Sequence, residues 1–214
     1  MKILENKNFK SRCKAFQNFT KEDVLKISSP QNYVHCTSFN NNSIFDEHTK
    51  VVICGTLTPQ KGRVNGFFYL SPANPMFEIL DSFFKSINVK TDFVKIKNKL
   101  IKNPNCEKYI NELQAELLKH KIALMDVVEN AIASNKIASD DEIICFNLDY
   151  NTFAKFNNRD IVFVCNSRNA EYALKLIAKH NNQSMKIEFA PQIWRKSKQL
   201  KQQRWNDVLK KYLK

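Results

Sequence analysis

All three glycines of this chain, Gly55, Gly62 and Gly66, fall within twelve residues, directly after the apolar run Val51-Val52-Ile53-Cys54. Glycine costs backbone entropy and is retained where φ must be positive or where another group approaches the main chain closely. The turn formed by Gly55, Thr56, Thr58 and Pro59 offers main-chain amides and hydroxyls to an anion or a carbonyl. Phe68, Tyr69 and Asn74 follow it. An aromatic ring stacks on a planar base, and a carboxamide, donor and acceptor together, reads its edge. Asn74 equally suits capping of the helix that begins after it, and both aromatics equally suit the core.

Further polar groups end apolar runs elsewhere. Asp126 closes Ile122-Ala123-Leu124-Met125, Asn166 follows Ile161–Cys165, and Pro191 follows Lys186–Ala190. Asp126 and the stretch Asp140-Asp141-Glu142 suit orienting water or accepting from a base amine, with capping and ion pairing as the alternatives. Several chemistries lose their entry requirement: there is no Gly-Lys-Ser/Thr phosphate loop, no Gly-x-Gly-x-x-Gly fingerprint and no Gly-x-Ser-x-Gly elbow. The cysteines at 13, 36, 54, 106, 145 and 165 form no Cys-x-x-Cys pair and have no histidine at zinc-site spacing. Reduced thiols, no metal and no cofactor are therefore expected.

The formal net charge of +13 makes the compact chain repel itself, and a polyanion offsets such repulsion. Nucleic acid is the expected partner; an anionic surface and a plain lysine-rich composition are the alternatives. Across the last twenty residues Arg195, Lys196, Lys198, Lys201, Arg204, Lys210, Lys211 and Lys214 face one acid, Asp207. Trp194 heads this run, either as an apolar wedge at an extruded nucleotide or as a cover for the last helix. Lys61 and Arg63 in the glycine loop join Trp194, Arg195, Lys196, Lys198 and Lys201 as expected DNA contacts. Residues 1–7 lack an apolar leader core and no run reaches membrane-spanning length. A cytoplasmic monomer without membrane contact is expected.

The elements that would position these groups read clearly from residue 51 onward. Near-continuous apolar runs predict strands over 51–54, 122–126, 161–165 and 186–190. Helical periodicity predicts helices from Asn74 or Pro75 to Ile87, over about 107–119, from about 170 to 180, and over 197–214, the last with Leu200, Trp205, Val208, Leu209 and Tyr212 as its apolar face. Residues 89–102, rich in lysine, read as a solvated helix or a phosphate-facing surface. Unbroken apolar strands separated by helices predict an α/β fold, a three-layer α/β/α sandwich around a mainly parallel four-stranded sheet. Its site would lie at the carboxyl ends of the strands, where Gly55, Asp126, Asn166 and Pro191 gather. Residues 1–50 read as an irregular basic extension packed on the 51–214 domain, with one short helix opened by a Thr20–Asp23 capping box.

Gly55-Thr-Leu-Thr-Pro59, Gly66-Phe-Phe-Tyr69 and Ser71-Pro-Ala-Asn-Pro-Met-Phe77 together resemble the first conserved block of the uracil-DNA glycosylase superfamily, most closely its hypoxanthine and mismatch-specific branch. Ile122–Val127, Ser139–Ile143, Asn147 and Asn151, the 161–166 strand and turn, and Lys201–Trp205 resemble later blocks in the same order. The resemblance implies a monofunctional, metal-free DNA glycosylase for a deaminated base, uracil first and hypoxanthine next. By that likeness Gly55–Pro59 border the base and the attacking water, Phe68 or Tyr69 stacks on the base, and Asn74 is catalytic. Either Asn147 or Asn151 holds base or water, and Asn166 lies in the base pocket. The chain departs from the branch at Met125, where a tryptophan is usual, and over Phe189–Ser197, where small hydroxyl residues are replaced by bulky and cationic ones. Such departures fit either altered strand or lesion preference or a DNA-binding protein that has lost catalysis.

Overall fold

The computed structural model describes residues 8–16, 18–40, 43–59, 63–134, 140–191 and 198–213. In chain order the elements are α1 (Phe9–Phe16), α2 (Lys21–Lys26), β1 (Tyr33–Thr37), β2 (Val51–Gly55), α3 (Met76–Ser86), α4 (Phe93–Lys102), α5 (Glu107–Lys119), β3 (Ile122–Asp126), β4 (Val128–Ser134), a 3₁₀ turn at Asp140–Glu142, β5 (Ile143–Leu148), α6 (Tyr150–Ala154), β6 (Val162–Cys165), α7 (Arg168–His180), β7 (Lys186–Phe189) and α8 (Lys198–Tyr212).

The four expected strands form one parallel sheet in the order β3-β2-β6-β7. The strands β2, β3 and β6 are buried on both faces, and the period of two sorts their side chains into two cores. Val52, Cys54, Ala123, Met125, Phe163 and Cys165 pack on one side with α1 and α7. Val51, Ile53, Ile122, Leu124, Val162 and Val164 pack on the other with α3, α4, α5 and α8.

A second sheet joins the first of these cores. It is antiparallel, ordered β1-β4-β5, and sequence periodicity does not announce it. Two neighbouring residues of β1, Val34 and His35, are both exposed, and β4 is built largely from small and polar residues, Val-Glu-Asn-Ala-Ile-Ala-Ser, of weak strand preference. The segment expected to be irregular thus carries α1, α2 and β1, and the Thr20–Asp23 capping box is formed. Phe9, Cys13 and Phe16 of α1 are all buried, with Phe9 stacked on Phe146 at 5.0 Å.

β3 is an edge strand, and its open edge is covered by side chains rather than by another strand. The Asn40 carboxamide donates to Asp126 O at 2.7 Å and accepts from Asp126 N at 2.8 Å, while Ser43 Oγ donates to Leu124 O at 2.6 Å. Past Asp126 the chain leaves the parallel sheet without a loop. Val127 N and Val128 N donate to Gly55 O and Thr56 O at 2.9 and 3.0 Å, and β4 begins at once.

The lysine-rich helix α4 also departs from expectation. Phe93, Ile96 and Leu100 make an apolar face, and Lys97, 1% exposed, points inward. A buried ammonium must be paired. Lys97 Nζ donates to Glu78 Oε1 at 2.8 Å and to Asn74 O at 2.5 Å, pinning the segment that precedes α3. In α8, Trp205, Val208 and Leu209 are buried as expected, whereas Leu200 is 67% exposed. Trp205 fills the core and donates from Nε1 to Pro191 O at 3.1 Å, tying α8 to the end of β7. Removing so large a buried ring leaves a cavity and an unpaired carbonyl. Trp205→Ala is expected to lose about 3–5 kcal/mol in urea denaturation, and a loss below about 1 kcal/mol would show that α8 is not part of the cooperative core.

Candidate active site

The carboxyl ends of β2, β3 and β6 bring Gly55, Asp126 and Asn166 together. Asp126 is 1% exposed. One carboxylate oxygen, Oδ2, accepts from Thr58 N and Thr58 Oγ1, both at 2.8 Å. The turn after β2 is therefore wrapped around a carboxylate, not around an external anion. Burial pushes the Asp126 carboxyl up to about 6, and the two Thr58 hydrogen bonds oppose that rise without cancelling it. Gly55 is required here for space: a Cβ on it would stand 2.9 Å from Asp126 Oδ1 and 3.0 Å from Tyr69 Oη. Gly66 is required for its backbone, with φ of +85°, and a methyl group there would also run into Asn105 Oδ1.

Tyr69 lies across the crevice in the left-handed region, at φ +57°. For a bulky residue that conformation is strained, and strain of this kind collects at functional positions. Asn166 Nδ2 donates to Tyr69 Oη at 2.9 Å, and Asn166 N is itself held by Cys54 O at 3.1 Å. Two capacities are left over. The phenol keeps its proton to donate, since burial and then the neighbouring Asp126 hold it well above the ordinary tyrosine range. Asn166 Oδ1 is buried without a partner among the described residues. A donor and an acceptor thus sit side by side beside the Asp126 carboxylate.

A second polar cluster adjoins this one through Thr56. Thr56 Oγ1 donates to Asp140 Oδ2 at 2.9 Å and lies 3.1 Å from Ser167 Oγ, while Asn169 Nδ2 donates to the same Asp140 oxygen at 2.8 Å. Burial raises the Asp140 carboxyl, and the bonds from Asn169 and Thr56 work against the rise. Arg12 Nη2 donates to the carbonyls of Asp140 and Asp141 at 3.2 and 3.3 Å, so α1 secures this corner. Ser167 caps α7 by accepting from Ala170 N at 3.0 Å. Among the described residues no group of three or more His, Cys, Asp and Glu side chains is placed to hold a metal ion.

The remaining expected residues scatter. Phe68 is wholly buried, its ring edge-on to Phe39 and Phe67, so it belongs to the core and Tyr69 alone stays at the crevice. Asn74 Oδ1 accepts from Met76 N at 3.0 Å just before α3, whose N-cap is Pro75, so Asn74 satisfies a free amide of the first turn without being the cap residue itself. Pro59 is exposed. Arg63 donates to Thr58 O at 2.8 Å and to Thr37 O at 2.7 Å, bracing the turn against β1. Asn147 and Asn151 line a different cleft with Phe19, Glu129 and Tyr150. In α8, Arg204 and Lys211 both pair with Glu188, at 3.6 and 2.8 Å. Lys61, Trp194, Arg195 and Lys196, together with the side chain of Lys198, lie outside the described residues. Asn40 has no sequence signal, for nothing distinguishes it from its neighbours in the run Asn40–Asn42. Its Nδ2 also donates to Asp149 Oδ2 at 2.6 Å, so it joins two buried acids more than eighty residues away.

No family model matches the chain, and no curated protein matches it. Among solved structures it is similar to the solution NMR structure of a "putative Uracil DNA glycosylase" from Methanosarcina acetivorans, with a TM-score of 0.53 and 17% identity over 79% of this chain and 94% of that one. At that identity the likeness is one of fold: a mixed α/β chain with a four-stranded parallel sheet between helices.

The buried carboxylate has a signature in stability. Asp126 binds its proton more tightly folded, at about 6, than unfolded, at about 3.9. Between those values the folded state holds more protons, so stability falls as pH rises through the window and stays lower above it. The span amounts to about 3 kcal/mol. In urea denaturation Asp126→Asn is expected to match the wild type near pH 3.5 and to exceed it by about 2–3 kcal/mol at pH 8. A variant less stable than wild type at pH 8 would mean that the Thr58 bonds outweigh burial.

Proposed function

We propose that this protein is a DNA glycosylase that excises a deaminated base, uracil first and hypoxanthine next. The observation that carries the reading is the pairing of Tyr69 and Asn166 beside Asp126. A phenol donor next to a carboxamide acceptor complements a ring C=O adjacent to a ring N–H. Uracil and hypoxanthine present that edge; cytosine and adenine present an amine next to a bare ring nitrogen, which places donor against donor. The likeness in fold to the Methanosarcina acetivorans protein and the net charge of +13 support the same reading.

In this mechanism the base leaves the stack and enters the crevice. Tyr69 O–H donates to its carbonyl, Asn166 Oδ1 accepts from its ring N–H, and the donated bond strengthens as negative charge moves onto the departing base. The Asp126 carboxylate, ionised above about pH 6, faces the cationic sugar and accepts a proton from the attacking water. The N-glycosidic bond breaks toward the base, water adds at C1′, and the products are free base and an abasic site. In this reading Asn74 takes the catalytic asparagine place, and Lys61, Arg63, Trp194, Arg195, Lys196, Lys198 and Lys201 contact the DNA.

One observation favours a second reading, a nucleic-acid-binding protein without catalysis: the Asn74 carboxamide oxygen is already engaged by Met76 N–H. The two separate in one assay. Single-stranded and duplex oligonucleotides carrying one uracil or hypoxanthine are incubated with the protein, and abasic products are cleaved with alkali. Strand breaks are expected at the lesion, at a rate rising with pH through about 6. Tyr69→Phe is expected to lower the rate by about 10²-fold and Asp126→Asn by about 10²–10⁴-fold, the latter without loss of stability. Salt-dependent binding with no breaks at any lesion would leave only the binder.

A further inference from the structure

A second cleft, of about 380 Å³, lies between the N-terminal segment, β4, β5, α6 and the end of α7. None of Gly55, Thr58, Tyr69, Asp126 or Asn166 lines it, and its size is that of a small-molecule site. Phe19 and Tyr150 supply its apolar walls, the Tyr150 ring backed by His180 at 4.0 Å. Glu129 and Asn147 stand among its polar walls, with Lys21 and Glu22 at the same cleft.

The orientation of Asn147 follows from its neighbours. Nδ2 donates to Glu129 Oε2 at 2.6 Å and to Leu148 O at 3.4 Å. A flipped amide would set its oxygen against a carboxylate and a carbonyl, so the donor must point this way. The oxygen is then left over. Asn147 Oδ1 is buried and has no partner among the described residues, in a residue only 3% exposed. Glu129 is half-buried, and among the described residues no cation pairs with it in a chain whose net charge is +13.

Joined through Asn147 Nδ2, the Glu129 carboxylate and the Asn147 carboxamide leave two acceptors in one part of the cleft lining, a carboxylate oxygen and Asn147 Oδ1. They call for a ligand edge with two adjacent N–H donors, set in a flat body that suits aromatic walls. Among the nucleobases guanine has that edge, in its ring N1–H and its 2-amino group. Uracil offers one N–H between carbonyls, and adenine and cytosine offer an amine beside a bare nitrogen. A guanidinium cation has the donors too, but the positive field of the chain repels it while leaving a neutral purine unaffected. We propose that this cleft binds guanine, as a free nucleoside or as an unstacked base of a strand, with N1–H and the 2-amino group donating to Glu129 and Asn147.

The test uses neutral nucleosides, because phosphates would bind a basic protein anywhere on its surface. Guanosine, inosine and adenosine are titrated into the full chain and followed at the Asn147 side-chain amide by NMR. Guanosine is expected to shift that signal and to bind at least roughly tenfold more tightly than inosine, which lacks only the 2-amino group. Glu129→Gln, checked for an intact spectrum, is expected to abolish the preference, and Asp126→Asn to leave it unchanged. An oligonucleotide with one bulged guanine, compared with bulged inosine, separates the sources: the same preference there assigns the cleft to a strand base as well. Equal binding of guanosine and inosine, guanosine binding that leaves the Asn147 signal unmoved, or no guanosine binding at millimolar concentration would each overturn the proposal.

Discussion

A carboxylate withdrawn from water at the end of β3 sets the terms for everything around it. Burying Asp126 costs about 3 kcal/mol once it ionises even with its local hydrogen bonds in place, and the fold limits that cost locally. Thr58 turns back to give one oxygen both a main-chain and a side-chain proton. Gly55 has no side chain because Asp126 and Tyr69 occupy the space a methyl group would need. Asn40 completes the hydrogen bonds of the Asp126 backbone on the sheet's open edge.

From this follows the division of labour between the two ends of the chain. The N-terminal segment reaches the crevice three times, through Arg12 at the Asp140 turn, Thr37 under Arg63, and Asn40 on Asp126. It is structural support for the polar cluster. The C-terminal helix, in contrast, uses part of its charge internally: Arg204 and Lys211 meet Glu188, and Lys211 is pushed up to about 12 by its bonds to Glu188 and Tyr212. A basic run is therefore partly a folding device, and its full count overstates what remains for phosphate.

What is legible in the sequence depends on how locally each feature is determined. β2, β3 and β6 are legible because strands buried on both faces are written as unbroken apolar runs, and the order of loops at their ends follows from parallel connectivity. The capping box of α2 is legible because Thr20 and Asp23 are three residues apart. The sheet β1-β4-β5 is not, since Ala131, Ala133 and Ser134 acquire their strand from pairing with residues nearly a hundred positions away. At the site, the glycine cluster marks the right segment, but the reason for Gly55 lies in Asp126, far along the chain. Phe68 and Tyr69 are adjacent and aromatic, and only the left-handed turn at Tyr69 decides that one faces the core and the other the crevice. Asn147 and Asn151 carry the right chemistry in another place.

The most direct measurement is the titration of the Asp126 side-chain carboxyl carbon by NMR, assigned by its disappearance in Asp126→Asn. A buried, Thr58-clamped acid titrates with a midpoint near 6, together with a shift of the Thr58 amide over the same pH range. A midpoint near the ordinary value of about 4, with the Thr58 amide unmoved, would mean that water reaches the carboxylate and that the crevice is not built around a buried acid.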